Sequence, residues 1–394
     1  MEKKKILIVH NFYKIPGGED TVVANEKKLL EDNGHEVILY TRNNHELDHL
    51  SFFQKLLLPF KAVFNRRTYH DIKKIIKEHN IDIVHVHNTL SIISPSVYYA
   101  AIKCGVPVVQ TVHNFRLICP AANLYRDGHI CEDCLHNGLH CAIMHKCYRH
   151  SRLQTLISVA ILKYHRLRGI YKKINYICLT DFNKKIICKY SQIDEKQVFV
   201  KPNFTFHDDS IDIVPFDKRE KQFVYVGRLD KLKGIDFLFE SWRLMGDSAP
   251  RLIVCGTGPL EKWCNDFISN NQIKTIEMLG QVDNKTAKII MSKSLALVFP
   301  TQWYEGFPMT IVESYSVGTP VIGPNMGNVG DLIEDGVTGW KYIYQEHGAF
   351  CAAIQNSILN DIEYTVYDFY NANYNTDTNY NILTSIYDKS GLKL

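Results

Sequence analysis

No stretch of 18 apolar residues occurs anywhere in these 394 residues, so no segment is long and greasy enough for a membrane-spanning helix. The start is not expected to be an export leader either. The start, Met1 to Val9, is basic, but its apolar run Ile6-Leu-Ile-Val9 is too short for a leader core and reads as a first β-strand. Eleven cysteines without such a leader argue against a disulfide scaffold and for a reduced, cytoplasmic setting. No repeat of fixed period is found, and no basic, aromatic-rich recognition motif, so nucleic acid is not expected as a partner.

What is present is ordinary in amount and informative in order. Hydrophobic residues make up 45% and charged residues 22%, as in soluble globular proteins. The length suits two domains. Continuous β-branched runs alternate with helix-length segments: Lys4–Val9, Glu36–Tyr40, Ile81–Val86, Val106–Val112 and Tyr176–Leu179. The pattern then restarts at Phe223–Val226, Arg251–Cys255, Ile276–Leu279, Leu295–Phe299 and Pro320–Ile322. Such runs predict parallel sheets covered on both faces, hence an α/β chain with two Rossmann-like domains facing each other across a cleft. The expected division is an N-terminal domain over 1–200 with a cysteine-rich insert at 115–150, a linker at 201–220, and a C-terminal domain over 221–375. A last helix over 376–394, spaced by Tyr380, Leu383, Ile386 and Tyr387, is expected to pack back towards the N-terminal domain. Charge is uneven. Residues 1–200 carry 29 Lys+Arg against 18 Asp+Glu, and the remainder 17 against 24. The N-terminal half therefore favours an anionic partner, or else simply has a solvated basic surface.

Parallel α/β sheets bind ligands at the carboxyl ends of their strands. His10-Asn11, His87-Asn88 and His113-Asn114 fall there in the first half, and Gly227-Arg228, Gly256 to Pro259 and Pro300-Thr301 in the second. The most informative run is Glu305-Gly306-Phe307-Pro308-Met309-Thr310-Ile311-Val312-Glu313. Pro308 suits the first position of a helix. The amides of Met309, Thr310 and Ile311 would then face an anion. Glu305, before the helix, would reach a sugar, and Glu313, inside it, the vicinal hydroxyls of a ribose. In Val226-Gly227-Arg228-Leu229-Asp230-Lys231-Leu232-Lys233-Gly234, Arg228 and Lys233 bracket one strand–helix turn, an arrangement able to hold a diphosphate leaving group. Gly17 and Gly18, in Pro16-Gly17-Gly18-Glu19, let backbone approach a phosphate or sugar closely.

Together these segments resemble glycosyltransferase family 4, a retaining family of GT-B architecture, from Gly17-Gly18 to Ile386-Tyr387. The resemblance implies a nucleotide-diphosphate sugar as donor and no metal in catalysis, and no convincing Asp-x-Asp metal motif contradicts the latter. Arg228 and Lys233 match the family's donor-phosphate pair, Glu305 the acidic residue on the donor sugar, and Glu313 the one on ribose. Backbone of Gly306–Ile311 would cradle sugar and diphosphate, and His113 matches a histidine near the reacting sugar. Pro308 stands where many members have glycine, which leaves the sugar's identity open. The rival readings are a nucleotide-sugar epimerase of the same architecture and a non-catalytic scaffold in polysaccharide assembly. Intact Glu305, Glu313, Arg228 and Lys233 argue against the scaffold.

Cys119, Cys131, Cys134, Cys141 and Cys147 crowd together just after His113. The Cys131-Glu-Asp-Cys134 spacing lets two thiolates face one tetrahedral metal, with Cys119 and Cys147 completing the set and Cys141 and His145 as alternates. A subgroup of the family looks similar here. A structural zinc, an iron–sulfur cluster, and plain reduced thiols or a disulfide are the readings left open. Finally, Ser51–Lys77 mixes Phe and Leu with Lys and Arg, and Ser151–Lys173 is a basic helix. Both could lie on an anionic membrane surface or pack on the sheet with snorkelling lysines. By analogy with the family, the acceptor is expected to be a lipid-pyrophosphate-linked saccharide of capsule, exopolysaccharide or O-antigen assembly, met on the inner face of the cell membrane.

Overall fold

The computed structural model describes residues 2–14 and 17–391. The chain divides into two compact units. Unit 1 comprises Met1–Arg126, Cys131–Pro202 and Thr376–Leu394, and unit 2 comprises Asp127–Ile130 and Asn203–Asn375.

Each unit holds a six-stranded sheet in which every neighbouring pair is parallel. Across unit 1 the strands run Glu36–Asn43, Lys5–Phe12, Ile83–Asn88, Val108–Thr111, Asn175–Cys178, Val198–Val200. Across unit 2 they run Ile276–Gly280, Arg251–Cys255, Gln222–Val226, Ala296–Val298, Val321–Pro324, Gly339–Tyr342. The apolar runs are continuous because these strands are covered on both faces: Ile6, Leu7, Ile8 and Val9 are all fully buried.

The strand order changes direction once in each sheet. In unit 1 this happens between Lys5–Phe12 and Ile83–Asn88, in unit 2 between Gln222–Val226 and Ala296–Val298. A crevice opens at such a point, outside the carboxyl ends of the two diverging strands. The order thus places His10 and His87 at one such point, and Gly227 and Thr301 at the other.

Both edge strands on the far side, Val198–Val200 and Gly339–Tyr342, escape the sequence reading. The first is three residues long and runs into Lys201-Pro202. The second opens with a glycine, which strand patterns treat as punctuation. The Tyr- and Asn-rich stretch before the last helix also holds a helix of its own, Glu363–Asn373, anchored by buried Val366 and Tyr370. Tyr370 donates its hydroxyl to the Thr205 carbonyl at 2.9 Å.

The last helix, Thr376–Gly391, belongs to unit 1, where Leu383, Ile386 and Tyr387 join Ile6, Ile8, Ile83, Val109 and Ile177 in one core. Residues 392–394 of that expected segment lie outside the described residues. The stretch read as a linker begins buried: Lys201, Asn203, Phe204 and Thr205 are all in the interior of their units. Lys201 reaches Glu26 Oε1 at 2.7 Å and Asn379 Oδ1 at 2.9 Å, and both members of this ion pair are wholly buried. Removing one charge leaves the other stranded in a dry interior. Lys201→Met should therefore destabilise the protein by about 3–5 kcal/mol in urea unfolding, while Glu26→Leu/Lys201→Met recovers most of that loss. Equal losses in the single and double variants would show that the pair is not coupled in this way.

Candidate functional site

In unit 2 the loops beyond the switch point are locked together by backbone. Leu229 donates to the Thr257 carbonyl at 3.0 Å and Gln302 to the Leu232 carbonyl at 2.8 Å. Two glycines make these approaches possible. Gly256 has φ +146°, and a Cβ on it would sit 1.9 Å from the Gly227 carbonyl oxygen. Gly234 has φ +72°, and its Cβ would meet the Pro300 oxygen at 1.9 Å. The sequence motif is thus a packing requirement as much as a binding one.

These loops bring Lys233 and Glu305 together. Lys233 Nζ lies 2.7 Å from Glu305 Oε1, which also accepts from Thr301 Oγ1 at 3.0 Å and Trp303 Nε1 at 2.9 Å. Glu305 is buried, and Asn328 Nδ2 clamps the backbone behind it by donating to the carbonyls of Glu305 and Gly306. Arg228 stands apart, its side chain 56% exposed and 3.5 Å from Asp230 Oδ2. Asp230 also accepts from the Lys233 amide at 3.0 Å, which fixes the turn between the two cations. Gly227 lies beneath the Tyr225 hydroxyl, which donates to the Arg228 carbonyl.

Pro308 is the residue preceding the helix Met309–Tyr315 rather than its first member, with φ −75° and ψ 107°. One of the three amides assigned to an anion is spent within the turn, since Ile311 donates to the Pro308 carbonyl at 3.1 Å. Met309 and Thr310 are the two ahead of it. The side chains of Phe307 and Ile311 are buried, so only their backbone could face a ligand. Glu313 is eight positions beyond Glu305 and accepts from Asn284 Nδ2 at 2.8 Å.

In unit 1, Gly17 and Gly18 lead into the helix Gly18–Asp32, and Pro16 of that motif lies outside the described residues. Glu19 accepts from Asn88 Nδ2 at 3.0 Å, and burial, then neighbouring Asp20, pushes its carboxyl up to about 8. His113 follows the strand Val108–Thr111 and lines a pocket with His87, Asn88, Gln110, Asn114 and Arg116. Its Nε2 lies 3.0 Å from His87 Nδ1, and burial, then His87, holds its pKa well below the usual imidazole range. The sequence did not disclose what stands behind it: Glu26, inside a helix, and Lys201, at the head of an apparent linker. Alternation along His85-Val86-His87 was the available signal, since it sends both rings to one face of the sheet.

The cysteine insert is only partly gathered. Cys119, Cys131, Cys134 and Cys147 lie within electrostatic reach of one another. Burial and then Cys119 push the Cys134 thiol up to about 12, and Cys147 is raised by burial, Cys119 and Cys131. Among the described residues, the groups whose ligand atoms come within 4.8 Å of one another are Glu26/His85/His87 and His10/Glu19/Asp20, and the cysteines are not one of them. All eleven cysteines are free thiols.

The family Glycosyltransferase Family 4 matches residues 16–207, and Glycosyl transferases group 1 matches residues 207–372. The chain belongs to glycosyltransferase family 4. A 41.2 kDa protein of a cps region in Klebsiella pneumoniae is 21% identical to this glycosyltransferase over 352 residues, 86% of either chain. Among solved structures, the lipopolysaccharide outer core galactosyltransferase WaaB superposes with a TM-score of 0.67 at 16% identity, covering 97% of this chain and 98% of its own. Anabaena HepE in complex with UDP-glucose superposes with a TM-score of 0.63 at 14% identity, covering 98% of this chain and all of its own. The two parallel-sheet α/β domains are those of GT-B glycosyltransferases.

The buried imidazoles give the family member a definite acid response. Burial lowers His85 to about 3 and His165 to about 4, and depresses His113 well below 6.5. Between pH 6.5 and about 4 the unfolded chain therefore binds more protons at these sites, so stability falls as pH falls. Glu19, raised to about 8, acts in the opposite sense between pH 8 and 4.5, one group against these three and against His10 and His35, which burial also lowers. Urea midpoints should drop from pH 7 to pH 5, with a slope of about 1.4 kcal/mol per pH unit for each net proton. A midpoint that stays level or rises would contradict the neutral, buried histidines.

Proposed function

We propose that this glycosyltransferase transfers a sugar, with retention of configuration and without a catalytic metal, from a nucleotide-diphosphate sugar to a lipid-pyrophosphate-linked saccharide in surface polysaccharide assembly. The observation that carries the donor half is the Lys233–Glu305 pair on unit 2, with Arg228 across the same turn. Lys233 and Arg228 neutralise the diphosphate as its bond to the anomeric carbon breaks. Glu305 spends Oε1 on three donors, which leaves Oε2 to accept from a sugar hydroxyl. Glu313 accepts from the ribose, with Asn284 fixing its orientation. The acceptor oxygen attacks from the face the diphosphate leaves, and the departing phosphate takes its proton. HepE, a relative in fold, holds UDP-glucose, which supports this class of donor. The cps-region relative supports polysaccharide assembly as the setting.

Unit 1 supports the membrane half. Phe52, Phe53, Leu56 and Phe60 are between 65% and 77% exposed, on two short helices that also carry Lys55 and Lys61. The following helix, Arg66–His79, buries Ile72 and Ile76 and turns its basic residues outward. Greasy residues beside cations suit an anionic leaflet, where each Lys or Arg contributes about 1 kcal/mol. Among the described residues no helix is long and apolar enough to cross a membrane, so surface docking is the mode proposed. The cysteine insert is assigned a structural metal, with Cys119, Cys131, Cys134 and Cys147 as ligands. These thiols match a thiophilic divalent cation in kind, but no three of the sulfurs lie within 4.8 Å of one another, so binding would have to draw them together.

Three outcomes test these assignments. Arg228→Ala and Lys233→Ala should each lower turnover by about 10²–10³, and Glu313→Ala should weaken nucleotide binding by about 1–3 kcal/mol in calorimetry. Near-wild-type turnover in both cation variants defeats the donor assignment. Vesicles rich in anionic lipid should bind the protein at low salt and release it as screening rises, while neutral vesicles bind poorly. Phe52→Ser/Phe53→Ser/Phe60→Ser should cut that binding and leave nucleotide affinity intact, and wild-type protein that ignores anionic vesicles removes the membrane assignment. Elemental analysis of untagged protein should give about one zinc per chain, lost in Cys131→Ser/Cys134→Ser. Metal-free protein of normal stability refutes the site.

A further inference from the structure

Behind His113 stands a chain of polar side chains that the donor chemistry does not use. Glu26 is wholly buried and paired with Lys201, which holds its carboxyl well below the usual carboxylate range against the opposing effect of burial. His87 Nε2 lies 3.3 Å from Glu26 Oε2, and His87 Nδ1 lies 3.0 Å from His113 Nε2. The His87 and His113 rings are within 22° of parallel, with centroids 5.2 Å apart.

A carboxylate can only accept. His87 Nε2 therefore carries a hydrogen, since a lone pair there would face the oxygens of Glu26 across 3.3 Å. In a neutral ring the other nitrogen is then bare, so His87 Nδ1 accepts. His113 Nε2, 3.0 Å away, must supply the hydrogen, which leaves His113 Nδ1 without one. Burial and the other imidazoles keep His113 neutral. Around His113 the charged or titratable neighbours are Glu26, His87, His10 and His85, with Lys201 beyond Glu26 and with Tyr98, Arg116 and Tyr171 lining the same pocket. His85 cannot set such a direction. It meets the hydroxyls of Tyr387 and Thr111, each at 2.8 Å, and a hydroxyl turns to suit either tautomer.

We propose that Glu26 and His87 are positioning residues that fix His113 in its Nε2–H tautomer, so that Nδ1 is presented to substrate purely as a hydrogen-bond acceptor. The functional half rests on the reading that His113 lies beside the reacting sugar, where it would then take a hydrogen from a hydroxyl. A carbonyl or phosphate oxygen, which needs a donor, is refused.

Nitrogen NMR of the full chain, labelled at histidine and free of substrate, tests the tautomer directly. His87 and His113 should both show a protonated Nε2 and a bare Nδ1 at pH 8. A protonated His113 Nδ1 overturns the proposal whatever the enzyme does. In turnover assays with nucleotide sugar, His87→Asn keeps an acceptor where Nδ1 stood, and should keep both the tautomer and kcat within about threefold. His87→Leu offers none, and should give mixed His113 tautomers and a kcat reduced by about tenfold or more, with nucleotide Kd unchanged. Equal kcat in the two variants despite different tautomers would leave the relay standing as structure and remove His113 from the reaction. Identical tautomers in both would remove the relay.

Discussion

Glu26 and Lys201 are buried together at the centre of unit 1, and much of the unit is arranged around keeping them there. One comes from the first helix and the other from the end of the last strand of the sheet, so the pair ties the two ends of a long segment to one point. Asn379 extends the tie to the last helix, accepting from Lys201 at 2.9 Å and donating to the Pro202 carbonyl at 2.7 Å. A charge in so dry a place must be matched, which makes the register of three separate segments mutually dependent. The histidine rings on the neighbouring strands inherit their orientation from the same carboxylate.

The fold was legible in the sequence wherever burial was two-sided. Runs such as Ile6-Leu7-Ile8-Val9 and Leu252-Ile253-Val254 leave few alternatives to a covered parallel strand. It was illegible at the sheet edges and in the Tyr/Asn-rich stretch, where composition misleads and only tertiary packing of Val366 and Tyr370 decides. The Pro308 boundary differed by one residue, a shift large enough to engage the Ile311 amide.

The candidate site divides in a similar way. Short-range features were readable, because a strand, a turn and a helix keep Arg228 close to Lys233 and Glu305 close to Glu313 in sequence. The Lys233–Glu305 contact itself spans 72 positions, and the partners that steady it, Trp303, Thr301 and Asn328, carry no signature of their own. The chain behind His113 was hidden more deeply still. A glutamate within a helix and a lysine before a proline look like surface residues until the sheet closes over them.

The last helix supplies Leu383, Ile386 and Tyr387 to a core whose other members begin at Ile6. Unit 2 lies wholly between these parts in the sequence. On the ribosome, then, unit 2 can close before unit 1 does. The first sheet must wait, with the apolar face around Ile6, Ile83 and Ile177 uncovered, for the whole length of synthesis of its neighbour. Sequence separation of this kind slows folding and exposes sticky intermediates. The N-terminal half of the chain is thus the part that is completed last, even though it is made first.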